Sequence, residues 1–209
     1  MKDFLEFMLF SCIETIALTS ITLTLFRFKF MDYFWQALLI NVVMNIQSYF
    51  LREQFTLSEL VPVINVILLS IFIFAVARVP IIWTFIMSLF GYVFTVVIQS
   101  VIVFISGSVA YVTATDLHPI KGHVIQAATG LIVLALSYIL YKFGIGFAFQ
   151  FEKLRFKWEQ ALILSLIILT MVALGILLYY RVVIVDFSFL FLALLCLAYF
   201  AFRKETNNR

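Results

Sequence analysis

FLEFMLFSCIETIALTSITLTLF (Phe4–Phe26) is the stretch on which the reading of this chain turns. It is too long for the apolar region of a cleavable signal, carries Glu6 and Glu14, and has no small-residue cleavage site after it. It therefore reads as a retained first membrane span. Within it Ser11, Thr15, Thr19 and Thr22 step by four, four and three residues and fall on one narrow helical stripe, with Glu14 beside it. Hydroxyls at that spacing are expected to face other helices rather than lipid, because a polar group in hydrocarbon is costly unless it meets protein or water.

The rest of the chain agrees with that start. Of 209 residues, 65% are hydrophobic and 12% charged, with a mean hydropathy of +1.16. Soluble domains use roughly 45–50% apolar and about 25% charged residues. Seven apolar segments follow one another at approximately 4–26, 33–51, 60–77, 81–105, 124–141, 160–180 and 187–202. No stretch is left for a separate soluble domain. The expected fold is all-α: a polytopic transmembrane bundle of about seven spans, forming one domain over residues 1–209. The third and seventh segments are short for a full crossing. Pro80, after Arg78 and Val79, marks a helix stop and restart.

Charge sets the expected orientation. With seven crossings, Lys2, Arg52, Lys121 and Arg181 fall on one side. The other ten Lys and Arg residues fall opposite, among them Arg27, Lys29, Arg78, Lys142 and the group at 153–157. The positive-inside rule then puts the N-terminus outside and the C-terminus in the cytoplasm, as expected for a multi-pass protein of a bacterial cytoplasmic membrane. The connection at about 142–159 is the longest and most basic, and its Phe147, Phe151, Leu154 and Trp158 recur at amphipathic spacing. It is expected to lie in the headgroup region. Its alternating Phe147, Phe149 and Phe151 suit a short extended piece equally well.

Candidate ligand-binding residues come from polar groups at depth. Asn41, Asn45 and Ser48 align in the second segment; Ser88, Thr95 and Gln99 align in the fourth, with Tyr92 adjacent. Two readings stand side by side: interhelical hydrogen bonding that holds the bundle, or a polar pocket built from Glu14, Ser11, Thr15, Asn41, Asn45 and Gln99. Glu14 is the sharpest candidate, since no basic residue within the spans offers itself as a partner. A proton relay would need further titratable groups at depth. Cys12 and Cys196 both lie in apolar segments and read as small buried hydrophobes. The segment TATDLHPIKGHVIQ holds His118, His123 and Asp116, but its spacing matches no zinc motif, and Pro119 and Gly122 read as loop.

Catalytic motifs are missing: the sequence has no HExxH, GxSxG, Walker A or paired-cysteine pattern. No enzymatic activity, cofactor, metal or nucleic-acid partner is expected; the net charge of +3 follows from the topology. The layout of seven apolar segments ending in LCLAYFAFRKETNNR resembles the multi-pass sensor half of the peptide-sensing, AgrC-like histidine kinases of Firmicutes. The opening MKDFLEFMLFSCIETIALTSITLTLFRFKF is similar to small Bacillales membrane proteins of this length. That resemblance implies a receptor- or sensor-like bundle responding to a peptide or small amphiphile. The phospho-acceptor helix and ATPase of that group, expected after Phe202, are missing from this sequence, so the implied output runs through a partner such as a kinase. The alternative is a membrane component of a transporter, a substrate-binding or permease-like subunit working with an ATPase.

Overall fold

The computed structural model describes residues 2–53, 60–105 and 119–147. The segments at 160–180 and 187–202, the connection beyond Phe147, Asp116, His118 and Cys196 lie outside the described residues. What is described is helical, without strands among those residues: α1 (Lys2–Leu25), a 3-10 turn (Phe30–Tyr33), α2 (Phe34–Glu53), α3 (Val61–Ala77), α4 (Ile81–Ile105) and α5 (Pro119–Phe143). The first five apolar segments thus become five helices.

Three of these, Phe4–Leu25, Ile81–Ile105 and Val124–Phe143, are long and apolar enough to cross a membrane. At 1.5 Å per residue, 17-residue α3 rises about 26 Å, short of a hydrocarbon core of about 30 Å. Helix α2 has the length, at 20 residues, but Asn41, Asn45, Gln47 and Ser48 lower its apolar character.

The helix ends follow from local chemistry. At the end of α1 the amide of Arg27 donates to the Thr24 carbonyl (2.9 Å) and that of Phe28 to the Leu23 carbonyl (3.0 Å), a Schellman closure with Arg27 left-handed at φ 61°. Helix α5 closes the same way: Gly144, at φ 64°, donates to Tyr141 and Ile145 donates to Leu140. Pro80 ends the α3–α4 corner, and its carbonyl accepts from the amides of Trp83 (2.9 Å) and Thr84 (3.1 Å).

One expectation is corrected at α5. Pro119 through Gly122 read as loop in the sequence, whereas the helix begins at Pro119. Proline has no amide proton to lose and a φ already suited to a first helical turn, so it starts helices as readily as it interrupts them.

Helix α1 is the hub. It touches α2, α4 and α5, and every residue from Ala17 to Phe26 is buried. Ser11 and Thr19 of α1 meet Asn45 and Asn41 of α2, in antiparallel order. Ile13 and then Ser20 of α1 meet Gly130 and Ser137 of α5, so these two run parallel. The apolar core gathers around Ile21 and Leu23 of α1, Met44 of α2, Leu69 and Ile73 of α3, and Trp83 and Met87 of α4. Large apolar side chains also cover the outside: Trp35 is 77% exposed and Ile105 78%. With buried Ser, Thr and Asn inside and bare Leu, Ile and Phe outside, the polarity of a soluble bundle is inverted.

Candidate functional site

The polar interior is built on the hydroxyl stripe of α1. Helical spacing puts Ser11, Thr15, Thr19 and Thr22 on one side of the helix, and all four are buried. Three of the four return their protons to the preceding turn: Thr15 Oγ1 donates to the Ser11 carbonyl (3.0 Å) and Thr22 Oγ1 to the Leu18 carbonyl (2.7 Å). Thr19 Oγ1 sits 2.9 Å from both the Thr15 carbonyl and Asn41 Oδ1. This back-bonding is what makes a hydroxyl tolerable inside an apolar helix.

Asn45 closes the interface from α2. Its Oδ1 accepts from Ser11 Oγ at 2.7 Å, and its Nδ2 donates to Thr15 Oγ1 at 3.1 Å and to Cys12 Sγ at 3.0 Å. Both amide protons and the carbonyl of Asn45 are therefore engaged, which makes this group an interhelical clasp. Nearer the end of α2, Ser48 Oγ reaches Asn65 Oδ1 of α3 at 3.5 Å.

Not all of the interior is so paired. Asn41 Nδ2, both amide atoms of Gln47 and Ser88 Oγ are buried with no hydrogen-bond partner among the described residues. A buried polar atom without a partner carries a desolvation cost of about 1–3 kcal/mol, so these four atoms are unfilled polar capacity among the described helices. Gln47 was not among the residues expected from the sequence; an amide one position off the Asn41–Asn45–Ser48 line gave no signal there.

The six sequence candidates are thus distributed. Ser11, Thr15 and Asn45 are joined directly, and Asn41 is tied to the same stripe through Thr19. Glu14 is half-buried on α1 beside them, in electrostatic range of Arg52 in the last turn of α2 and of Tyr92 on α4, without a direct ion pair among the described residues. The Arg52 guanidinium stacks 5.8 Å from the Phe7 ring, one to two turns below Glu14. Gln99 is half-buried on α4, and no hydrogen bond joins it to the stripe among the described residues.

A second feature lies on the opposite side of α1. A cavity of about 400 Å³ opens between α1, the 3-10 turn and α5. Its floor is a chain of buried hydroxyls: Ser137 Oγ lies 2.7 Å from Ser20 Oγ and 2.9 Å from Thr24 Oγ1. Lys29, Met31 and Asp32 form its exposed mouth, and Phe30, Leu134, Tyr138 and Tyr141 its walls. Ser20 and Thr24 stand four residues apart, the spacing already used to define the Ser11 stripe. The sequence held that signal, but nothing in it identified Ser137 as the residue across from them.

The near end of this region is sealed by the chain that follows α5. The Phe147 amide donates to the Leu25 carbonyl at 2.7 Å, and Arg27 Nε donates to the Gly146 carbonyl at 3.0 Å. Phe26, Phe90 and Phe147 meet in a triangle of rings with centroids 5.5 to 6.2 Å apart. The start of the basic connection is accordingly docked against the end of α1. No family model, curated protein or solved structure matches the chain.

Proposed function

We propose that the protein is a non-enzymatic, multi-pass protein of a bacterial cytoplasmic membrane, a receptor- or sensor-like bundle that acts through a partner. In this reading seven segments cross, the N-terminus is outside and the C-terminus is cytoplasmic, in keeping with the distribution of Lys and Arg. The observation that carries the receptor reading is the unfilled polar capacity inside the bundle. The contacts between α1 and α2 already satisfy Asn45, whereas Asn41 Nδ2, the Gln47 amide and Ser88 Oγ are left over among the described residues. Buried polar groups beyond those that hold the helices together are what a small polar or amphiphilic ligand would engage.

The test is native mass spectrometry of the full chain released from a mild detergent. A partner protein at fixed stoichiometry, together with a retained small molecule or peptide that Gln47→Leu loses, is the expected result. A bare chain with neither would overturn the reading.

A further inference from the structure

The cavity between α1 and α5 is separate from the Asn45 clasp, and its lining is of three kinds. The first is a pair of opposite charges at the mouth. Lys29 and Asp32 are three residues apart in the turn that follows α1, both exposed, and neither side chain is engaged in an ion pair among the described residues. The second is the hydroxyl floor. Ser20, Thr24 and Ser137 are more than nine-tenths buried and carry three O–H protons, yet among the described residues the group contains two hydrogen bonds, Ser20 with Ser137 and Thr24 with Ser137. One proton is left to donate to an oxygen entering the cavity. The third is an apolar and aromatic wall: Tyr138 is 66% exposed at the rim, above Leu134.

Position then selects the class of ligand. The mouth lies where α1 gives way to its connecting turn and within two turns of the end of α5, at the level where a spanning helix leaves hydrocarbon for headgroups. Tyrosines flanking a charged opening are typical of that interface. A volume of about 400 Å³ falls at the lower end of ligand sites, which run from about 300 to 1,000 Å³. A cation and an anion side by side, over a hydroxyl donor and next to an apolar wall, match a headgroup that itself bears a phosphate and an ammonium.

We propose that this cavity seats the headgroup of a zwitterionic phospholipid with a primary ammonium, phosphatidylethanolamine in type. Lys29 and the free hydroxyl proton meet the phosphate, Asp32 meets the ammonium, and an acyl chain leaves along Leu134 and Tyr138. The inference rests on the membrane reading above, and the experiment separates the two. The full chain is delipidated in detergent and incubated with an equimolar mixture of phosphatidylethanolamine, phosphatidylglycerol and phosphatidylcholine of identical acyl chains. Bound lipid is then read by native mass spectrometry, and the membrane fraction of the same cells is extracted with alkaline carbonate.

The expected result is one phosphatidylethanolamine per chain in preference to the other two. Lys29→Gln should lower its occupancy roughly fivefold, the upper range of an exposed charge contact, and Lys29→Arg should restore it. Asp32→Asn should abolish the preference over phosphatidylglycerol while keeping lipid bound. Both residues are exposed, so thermal unfolding of the variants should match that of the unaltered chain. Equal occupancy by the three lipids, or retention untouched by Lys29→Gln, would overturn the inference. Displacement of the lipid by an equal concentration of soluble glycerophosphoethanolamine would overturn the lipid as the source of the headgroup. A chain that resists carbonate but holds no lipid sinks this inference alone, and a chain released by carbonate sinks both.

Discussion

At Arg78 the backbone turns left-handed, with φ 53°, to end α3. A side chain there costs about 1–2 kcal/mol that glycine would not, so Arg78→Gly should raise resistance to unfolding in a mixed-micelle denaturant titration by about 1 kcal/mol. Gly91 presents the opposite case. A Cβ built there would collide with Thr22 Oγ1 and fall 2.8 Å from Thr22 Cβ, and that hydroxyl is held by its bond to the Leu18 carbonyl. Gly91→Ala should therefore destabilise by about 1–3 kcal/mol, as overpacking does; adding Thr22→Ala should recover part of the loss, and the same titration reads both. Asn45→Ala strands the Ser11 hydroxyl and should cost about 1 kcal/mol, in line with interhelical hydrogen bonds in membranes. At this scale the sequence was informative where periodicity applied: Ser11, Thr15, Thr19 and Thr22 were expected to turn inward, and all are buried. It could not separate Asn45, whose amide is fully used, from Asn41, whose Nδ2 is not, because pairing depends on what the other helices bring.

Among the helices, five segment ends were legible to within a few residues because apolar runs end where charge or proline begins. Ile81–Ile105 coincides with its expected bounds, while α5 starts at Pro119, ahead of Val124, for the reason that proline at a first turn and proline in a loop look alike in sequence. The stretch after α5 was open between an amphipathic helix and an extended piece. Its described part, Gly144–Phe147, leaves the helix through a left-handed glycine and docks on α1. Gly146 makes this approach possible: a Cβ there would come within 2.9 Å of the Leu25 carbonyl and 3.0 Å of Arg27 Cγ. Gly146→Val should push the segment away, and the Phe147 amide, bonded to Leu25, should then exchange its hydrogen with solvent at least about tenfold faster while the α1 and α2 amides keep their protection.

For the molecule as a whole, the sequence by itself determined that the chain is apolar, helical and inverted in polarity. Those properties are sums over residues: the hydrophobic fraction, the length of each run, and the hydroxyls that a helix of 3.6 residues per turn must stack on one side. The proposed orientation, drawn from the charge asymmetry, is one that labelling can check. Single cysteines at Lys29 and Arg78 should react with an impermeant maleimide only after the membrane is opened, and one at Arg52 should react in intact cells; the reverse pattern would invert the topology. Only the tertiary structure decided that α1 stands at the centre, antiparallel to α2 and parallel to α5. Ser20 and Thr24 lie across α1 from the Asn45 clasp, and what they do is fixed by Ser137, 117 and 113 residues away along the chain. A local pattern can state that a face is polar, but whether that face is zipped shut or opens into a cavity depends on which distant helix arrives there and on how closely a glycine lets it approach.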